Sequence, residues 1–467
     1  MKKSLVALAV LAASGAYAQS SVTLYGIVEA TTDIGYNKNL DTRTTVNDFN
    51  AGNVLTGTSV NATTARQKNN FRVQDGSDQG TGTSRVGFRG TEDLGGGLKA
   101  NFVLEMGLRS DDGCTTLGAV TTGAARAAPN TAVGTTCNNG GGSADSGGST
   151  FGRNAWGGLS GSFGEVRLGR QVLGSYGVQA NSVAAGAGLG LYESSAAGYG
   201  PTAIGGVRFS NAIRYMSPDL GGFKGSVMVA APETGSNTFN APGNNIASRR
   251  TGVDLALEYA NGPAYIGFGY NKRDLGNVTS VTTGALTVNT SPGTVTGYTI
   301  GGAYDLGVVK PFVNYTRVTT NSSGSTLPDP LLANITGSNS SNSNARALSV
   351  GLRAPVGAFT VIAGYGRVNT DVNSASVVSA PTTVSTFTST AGQERRDAFQ
   401  VGAQYALSKR TLVEANYGYS KLRTNGTAVE TRNGAPFLPA GPGGRQERFT
   451  DSNERISAFN VGLKHSF

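Results

Sequence analysis

Val253-Asp254-Leu255-Ala256-Leu257-Glu258-Tyr259 alternates without a break: Val253, Leu255, Leu257 and Tyr259 fall on one face, and Asp254, Ala256 and Glu258 on the other. A repeat of two belongs to an extended strand with one greasy and one wet face. The same split recurs in Phe359, Val361, Ala363 and Tyr365 against Thr360, Ile362 and Gly364, and in Phe399, Val401, Ala403 and Tyr405 against Gln400, Gly402 and Gln404. Aromatic residues close these segments, where side chains straddle a lipid–water boundary.

Working outward, about sixteen such segments begin near residues 21, 83, 98, 151, 164, 206, 223, 251, 263, 296, 308, 345, 358, 396, 411 and 457. Short connections at 91–97, 160–163, 217–222, 260–262, 305–307, 354–357 and 408–409 alternate with long stretches rich in Ser, Thr, Asn and Gly. This pattern predicts an all-β fold, a closed antiparallel transmembrane β-barrel of about 16 strands with its long loops outside the cell. Closure is a physical requirement, because an open sheet edge in hydrocarbon leaves unpaired backbone groups that cost several kcal/mol each. The last strand, 459–467, is therefore expected to pair with the first, 22–29.

Composition agrees with a wall of strands. With 69 Gly, 14% charged and 38% hydrophobic residues, the 467-residue chain is polar and weak in helix preference. It opens MKKSLVALAVLAASGAYAQS: Lys2 and Lys3, an apolar run over 5–13, then Ala16-Tyr17-Ala18. That is the layout of a cleavable secretory signal over 1–18, with the barrel over 19–467; its apolar core is shorter than the ~20 residues a spanning helix needs. The net charge of +9 falls to +7 without Lys2 and Lys3, and the cations are scattered with only short doublets such as Arg249-Arg250, which argues against nucleic acid as partner. Cys114 and Cys137 share one polar loop segment of an exported chain, so a disulfide is expected there, contributing ~3 kcal/mol on the chain-entropy model. No metal or cofactor site is expected, since zinc ligands are lacking and Gly186, Gly188 and Gly190 have no strand–turn–helix unit around them. The one histidine, His465, shares a face with Leu463 and Phe467, which leaves no catalytic arrangement.

Several blocks together resemble the general trimeric porins of Gram-negative outer membranes, and most closely their β-proteobacterial branch: Ser21-Val22-Thr23-Leu24-Tyr25-Gly26, SRVGFRGTEDLGGGLKANFVLE from Ser84, FGRNAWGGLSGSFGEVRLGRQ from Phe151, VRFSNAIRYMSPDLGGF from Val207, and the terminal Phe467. The resemblance covers nearly the whole chain after the signal. It implies sixteen strands, three copies side by side in outer-membrane lipid, and a third external loop folded inward to narrow each pore. That loop would follow Arg170, over about 171–206, where Glu193 is the only acid. By local context the family's pore-wall arginines match Arg85, Arg170 and Arg208, and an acidic partner matches Glu105; a lysine that some members carry on the first strand falls at Ile27 here. Phe467 matches the terminal aromatic that members present for barrel assembly.

Parity sorts the same residues independently. Arg85, Gly87 and Arg89 lie opposite Val86 and Phe88, and Arg208, Ser210, Ala212 and Arg214 lie opposite Phe209, Ile213 and Tyr215. An arginine facing lipid at the midplane costs ~2–4 kcal/mol, so these face water. Arg170 falls with Val166 and Leu168, and needs a bulge at Gly169 to reach the lumen. Trp156 is expected to pack against lipid or a neighbouring subunit. The function implied is a passive diffusion channel for small hydrophilic solutes, anion-preferring, with no chemistry done on the solute. Its rivals are a channel specific for an anionic solute and a surface adhesion or structural barrel.

Overall fold

A computed structural model describes residues 21–50, 52–74, 84–108, 110, 115–116, 150–184, 204, 206–231, 251–275, 289–290, 293–326, 336–379, 385–433 and 444–467. Cys114, Cys137 and Glu193 lie outside the described residues, as does the 1–18 segment.

In chain order the elements are β1 (Ser21–Phe49), β2 (Leu55–Gln74), β3 (Arg85–Gly95), β4 (Leu98–Leu108), β5 (Thr115–Thr116), β6 (Asn154–Gly161), β7 (Gly164–Val172), α1 (Gly174–Asn181), β8 (Arg208–Met216) and β9 (Phe223–Ala230). They continue with β10 (Gly252–Asn261), β11 (Ala264–Asp274), β12 (Asn289–Thr290), β13 (Gly293–Tyr304), β14 (Lys310–Thr326), β15 (Thr336–Val356), β16 (Phe359–Ser379), β17 (Ser385–Ala406), β18 (Thr411–Asn433) and β19 (Gly444–Ser466). All pairings are antiparallel, and β1 pairs with both β3 and β19, so the sheet closes on itself. β2 extends an external hairpin from the far part of β1, while β5 and β12 are two-residue pieces at the rim; the remaining sixteen strands form the wall. At the seam Gly26 and Phe467 exchange backbone hydrogen bonds of 3.1 Å in both directions.

The alternation places side chains as expected. Leu257, at 61%, and Val253 and Leu255, both at 39%, are exposed outward, whereas Asp254 and Ala256 are buried on the inner side. Aromatic pairs mark the edges of the greasy band, Phe359–Tyr405 (4.9 Å) and Phe223–Tyr259 (4.5 Å) near the short turns, and Tyr298–Tyr315 (6.3 Å) and Phe399–Tyr417 (6.1 Å) toward the other end. All seven short connections fall where the sequence put them. In one of them the Gly222 N–H, aided by Lys224, holds the Asp219 carboxyl below its ordinary range.

Three strands start further out than the alternation predicts, at Thr336, Ser385 and Gly444 in place of 345, 396 and 457, and the β1–β2 hairpin stands where the sequence predicts a long loop. Above the lipid both faces of a strand meet water, so the apolar repeat stops while the hydrogen-bonded ladder continues. Parity also breaks inside β8: Asn211 has φ +50, and Phe209 joins the buried cluster of Leu173, Ala212, Met228 and Ala230 on the inner side. Phe209 therefore faces inward with Ala212, contrary to strict alternation, and Arg208 and Ser210 no longer share a face with Ala212 and Arg214 by parity as expected; what places Arg208 by the pore cluster is its proximity to Arg153 and Glu105.

The described part of 171–206 lies against the polar face of the wall. The N-cap residue of α1, Leu173, offers no side-chain acceptor, and the Asp254 carboxylate of β10 takes that role. It accepts from the Gly174 N–H at 2.7 Å, the Ser175 N–H at 3.3 Å and the Ser175 hydroxyl. An anion at a helix N-terminus is favourable on both hydrogen-bonding and dipole grounds. Further along, Gln179 donates to Thr316 (3.2 Å), Asn314 donates to Ser182 (2.8 Å), and Arg353 donates to the Ala184 carbonyl. Gly269 makes this approach possible, since a Cβ there would stand 2.7 Å from the Ser175 Cα. Ile362, an apolar residue on a wet face, finds its partners in Ala184 and Phe312.

A side chain at Gly26 would collide with the Phe467 ring and stand 2.7 Å from the Arg85 carbonyl. Gly26→Leu is expected to block seam closure, so that the refolded protein loses the heat-modifiable mobility of a closed barrel in gel electrophoresis. Retention of that mobility in the variant counts against this seam.

Candidate functional site

Glu105 sits on the inner face of β4 as the centre of a basic cluster. Its carboxylate accepts from Arg153 Nε (2.7 Å), Asn154 Nδ2 (3.1 Å) and the Tyr25 hydroxyl (3.0 Å), and Arg85 Nε lies 3.6 Å away. β1, β3, β4 and the start of β6 are consecutive in the wall, so the ladder itself brings these groups together. Gly87 supplies the room, because a Cβ there would meet the Tyr25 ring at 2.7 Å. Arg89 stands over that ring, 5.2 Å from its centroid.

Arg170, at the end of β7, stands close to this cluster. The β7–β8 register shifts between Gly169 and Gln171 with the extra residue on β8, at Asn211, while the β6–β7 ladder runs unbroken through Gly169 and Arg170, so the bulge expected in β7 lies in its neighbour. Arg170 donates to the Gly152 carbonyl (2.7 Å) and to Ser210 Oγ (2.6 Å). The largely buried Arg208 lies within electrostatic reach of Arg153, Arg170 and Glu105. Five guanidiniums, those of Arg85, Arg89, Arg153, Arg170 and Arg208, thus gather near one carboxylate among the described residues. Opposite charges 4 Å apart interact by ~4 kcal/mol at an effective dielectric of 20, so Glu105 holds the two guanidiniums beside it, those of Arg153 and Arg85.

Sequence reasoning missed three of the inner cations. Arg153 precedes β6, outside the alternating run, and its only signal was adjacency to Asn154. Arg167 pairs with Glu165 at 2.7 Å and stacks on Trp156 at 4.0 Å. Trp156 therefore shares the inner face with Asn154, and the lipid or subunit contact expected for it is corrected. Arg214, placed on the wet face by parity but not singled out, donates to the Val172 carbonyl and to Ser226 Oγ, both at 3.1 Å. Elsewhere on the inner wall Lys464 stands 3.6 Å from Glu29, and Gln404 donates to Glu414 at 3.2 Å. Among the described residues no three His, Cys, Asp or Glu side chains come together in a metal-binding group.

Comparison with known proteins agrees with this architecture. A model of the Gram-negative porin family matches residues 4–425. An outer membrane porin protein of Bordetella pertussis is 30% identical over 440 residues, covering 90% of this chain and 94% of that protein. Outer membrane porin protein 32 of Delftia acidovorans is 34% identical over 286 residues, covering 60% of this chain and 62% of that protein. The solved structure of a loop-deleted OmpT from Vibrio cholerae shares the fold at a TM-score of 0.51 and 14% identity, over 96% of this chain and 99% of that one. The closed sixteen-strand wall and these matches show that the chain belongs to the Gram-negative porin family, as a channel of the outer membrane.

Proposed function

We propose that the channel is a passive, anion-preferring conduit for small hydrophilic solutes, narrowed by the 171–206 segment facing a basic wall. The observation that carries the reading is the clustering of Arg85, Arg89, Arg153, Arg170 and Arg208 around Glu105. In this reading Arg85, Arg89, Arg170 and Arg208 form the positive side of the constriction, and Glu105 orients Arg85 and the adjoining Arg153. α1, pinned by Asp254, is the root of the narrowing segment, and Glu193 is its one acid. A cationic wall raises the local concentration of anions and sets a field across their path, while the constriction excludes large solutes. The proposal extends to a homotrimer, a Cys114–Cys137 disulfide in an external loop, removal of residues 1–18, and a role for Phe467 in assembly. No residue is assigned chemistry on the solute.

The reversal potential in a planar bilayer under a salt gradient tests the electrostatics. The unmodified protein is expected to favour anions, less so in 1 M salt, where the screening length falls from ~10 Å at 0.1 M to ~3 Å. Arg85→Ala with Arg208→Ala should reduce the preference further. A cation-preferring parent unaffected by the double substitution would sink the reading.

Glu105→Gln removes the carboxylate that neutralises part of the cluster, and the anion-to-cation permeability ratio should rise. An unchanged or lower ratio in a folded variant argues that Glu105 stands outside the path. Asp254→Ala strips the N-terminal anchor of α1 at a cost of ~1 kcal/mol. It should yield a larger single-channel conductance as the segment lifts from the wall; a conductance equal to the parent's would place the narrowing elsewhere.

A further inference from the structure

On the outward face of six neighbouring strands, β14 to β19, basic side chains oppose one another directly. Arg317 pairs with Arg346 across β14 and β15, Arg395 with Arg423 across β17 and β18, and Lys421 with Arg455 across β18 and β19. Like charges directly opposite on one face of a sheet are destabilising, yet three such pairs occur in one band. Among the described residues acids compensate only in part: Asp371 lies 2.5 Å from Arg346, Asp397 lies 3.0 Å from Arg395, 2.6 Å from the neighbouring Arg367 and opposite Lys421 in the register, and Asp41 lies 3.4 Å from Arg455.

The height of the band is informative. Arg317, Arg367 and Lys421 each occupy the next outward position beyond an aromatic residue, Tyr315, Tyr365 and Tyr419, about 7 Å further along the strand. Level with these aromatics the intervening strands β15 and β17 expose Leu348 and Phe399, and below them Val350 and Val401. The band lies on the side of the long loops, so it stands at the level of the headgroups of the outer leaflet.

We propose that this band is a docking surface for phosphate-bearing lipid headgroups of the outer leaflet. Arginine forks match phosphate oxygens in pairs, and strands ~4.8 Å apart let two opposed arginines bracket one phosphate. An anion between them turns the cross-strand repulsion into attraction on both sides. The greasy face directly beneath receives the acyl chains, which selects a lipid over a free anion as the occupant. The cations around Glu105 take no part, because they stand on or beside β3, β6, β7 and β8, outside these six strands.

The test is native mass spectrometry of the folded barrel in zwitterionic detergent with bisphosphorylated lipid A, with the same lipid stripped of both phosphates, and with inorganic phosphate. The phosphorylated lipid is expected to be retained and the stripped lipid lost. Each cation near an anionic surface is worth about fivefold in affinity, so Arg395→Gln with Arg423→Gln should weaken retention by about twentyfold, and adding Arg346→Gln and Arg367→Gln by well over a hundredfold. Single-channel conductance of both variants should match the parent, since none of the four side chains faces the lumen; this reports folding, and the double variant stands if the quadruple one misfolds. Equal retention of the stripped lipid, undiminished retention by a conducting variant, or full displacement by millimolar inorganic phosphate would overturn the proposal.

Discussion

Hydrocarbon offers no hydrogen bonds to a peptide backbone, and that constraint governs the rest of this structure. Each N–H and C=O at membrane depth must find its partner in the chain, so the sheet has to close, and the exchange between Gly26 and Phe467 completes the ring. Closure then dictates the side chains. One face of every strand meets lipid and the other meets an enclosed aqueous space, so polar and charged groups concentrate inside without the penalty they would meet on the outer face.

An enclosed polar wall also gives an inserted segment something to hold. Asp254 interrupts no greasy face, and it is free to cap a helix whose own N-cap residue, Leu173, has no acceptor to offer. Asn271, Asn314 and Thr316 are buried inside because that segment covers them. The cluster around Glu105 lies on β1, β3, β4 and the start of β6, and α1 is bonded to β10 and beyond, so different strands carry the two features. The asymmetry follows from where the strands place their inward residues.

Legibility from sequence divides along the same physics. Within the lipid the two environments force a repeat of two, and all sixteen wall strands and seven short turns could be read from it. Beyond the lipid both faces meet water; β2 and the outer parts of β15, β17 and β19 carry no apolar repeat and left no signal. At the site, Arg85 was legible from alternation, Glu105 only from the family's local context because Phe102-Val103-Leu104 interrupts the repeat before it, and Arg170 only as a conflict with parity that the unbroken β6–β7 ladder retains. Arg153 precedes its strand, so parity says nothing of it. Trp156 was misjudged because a large ring usually seeks lipid; the Arg167 guanidinium stacked on it explains why it stays inside.

A net charge of +9 therefore describes no single surface. Arg395 and Arg396 are adjacent in sequence, yet Arg395 turns outward to Asp397 while Arg396 turns inward toward Glu394 and Glu454. A slip of one residue in β17 would exchange them and with them every greasy and polar side chain of the strand, which is why the register is strongly specified. Ion preference then depends on the inward subset alone, in which Arg85 and Arg153 flank Glu105. The outward subset answers to the lipid leaflet. Two populations of the same residue type, separated by the thickness of one sheet, can thus be tuned without disturbing each other.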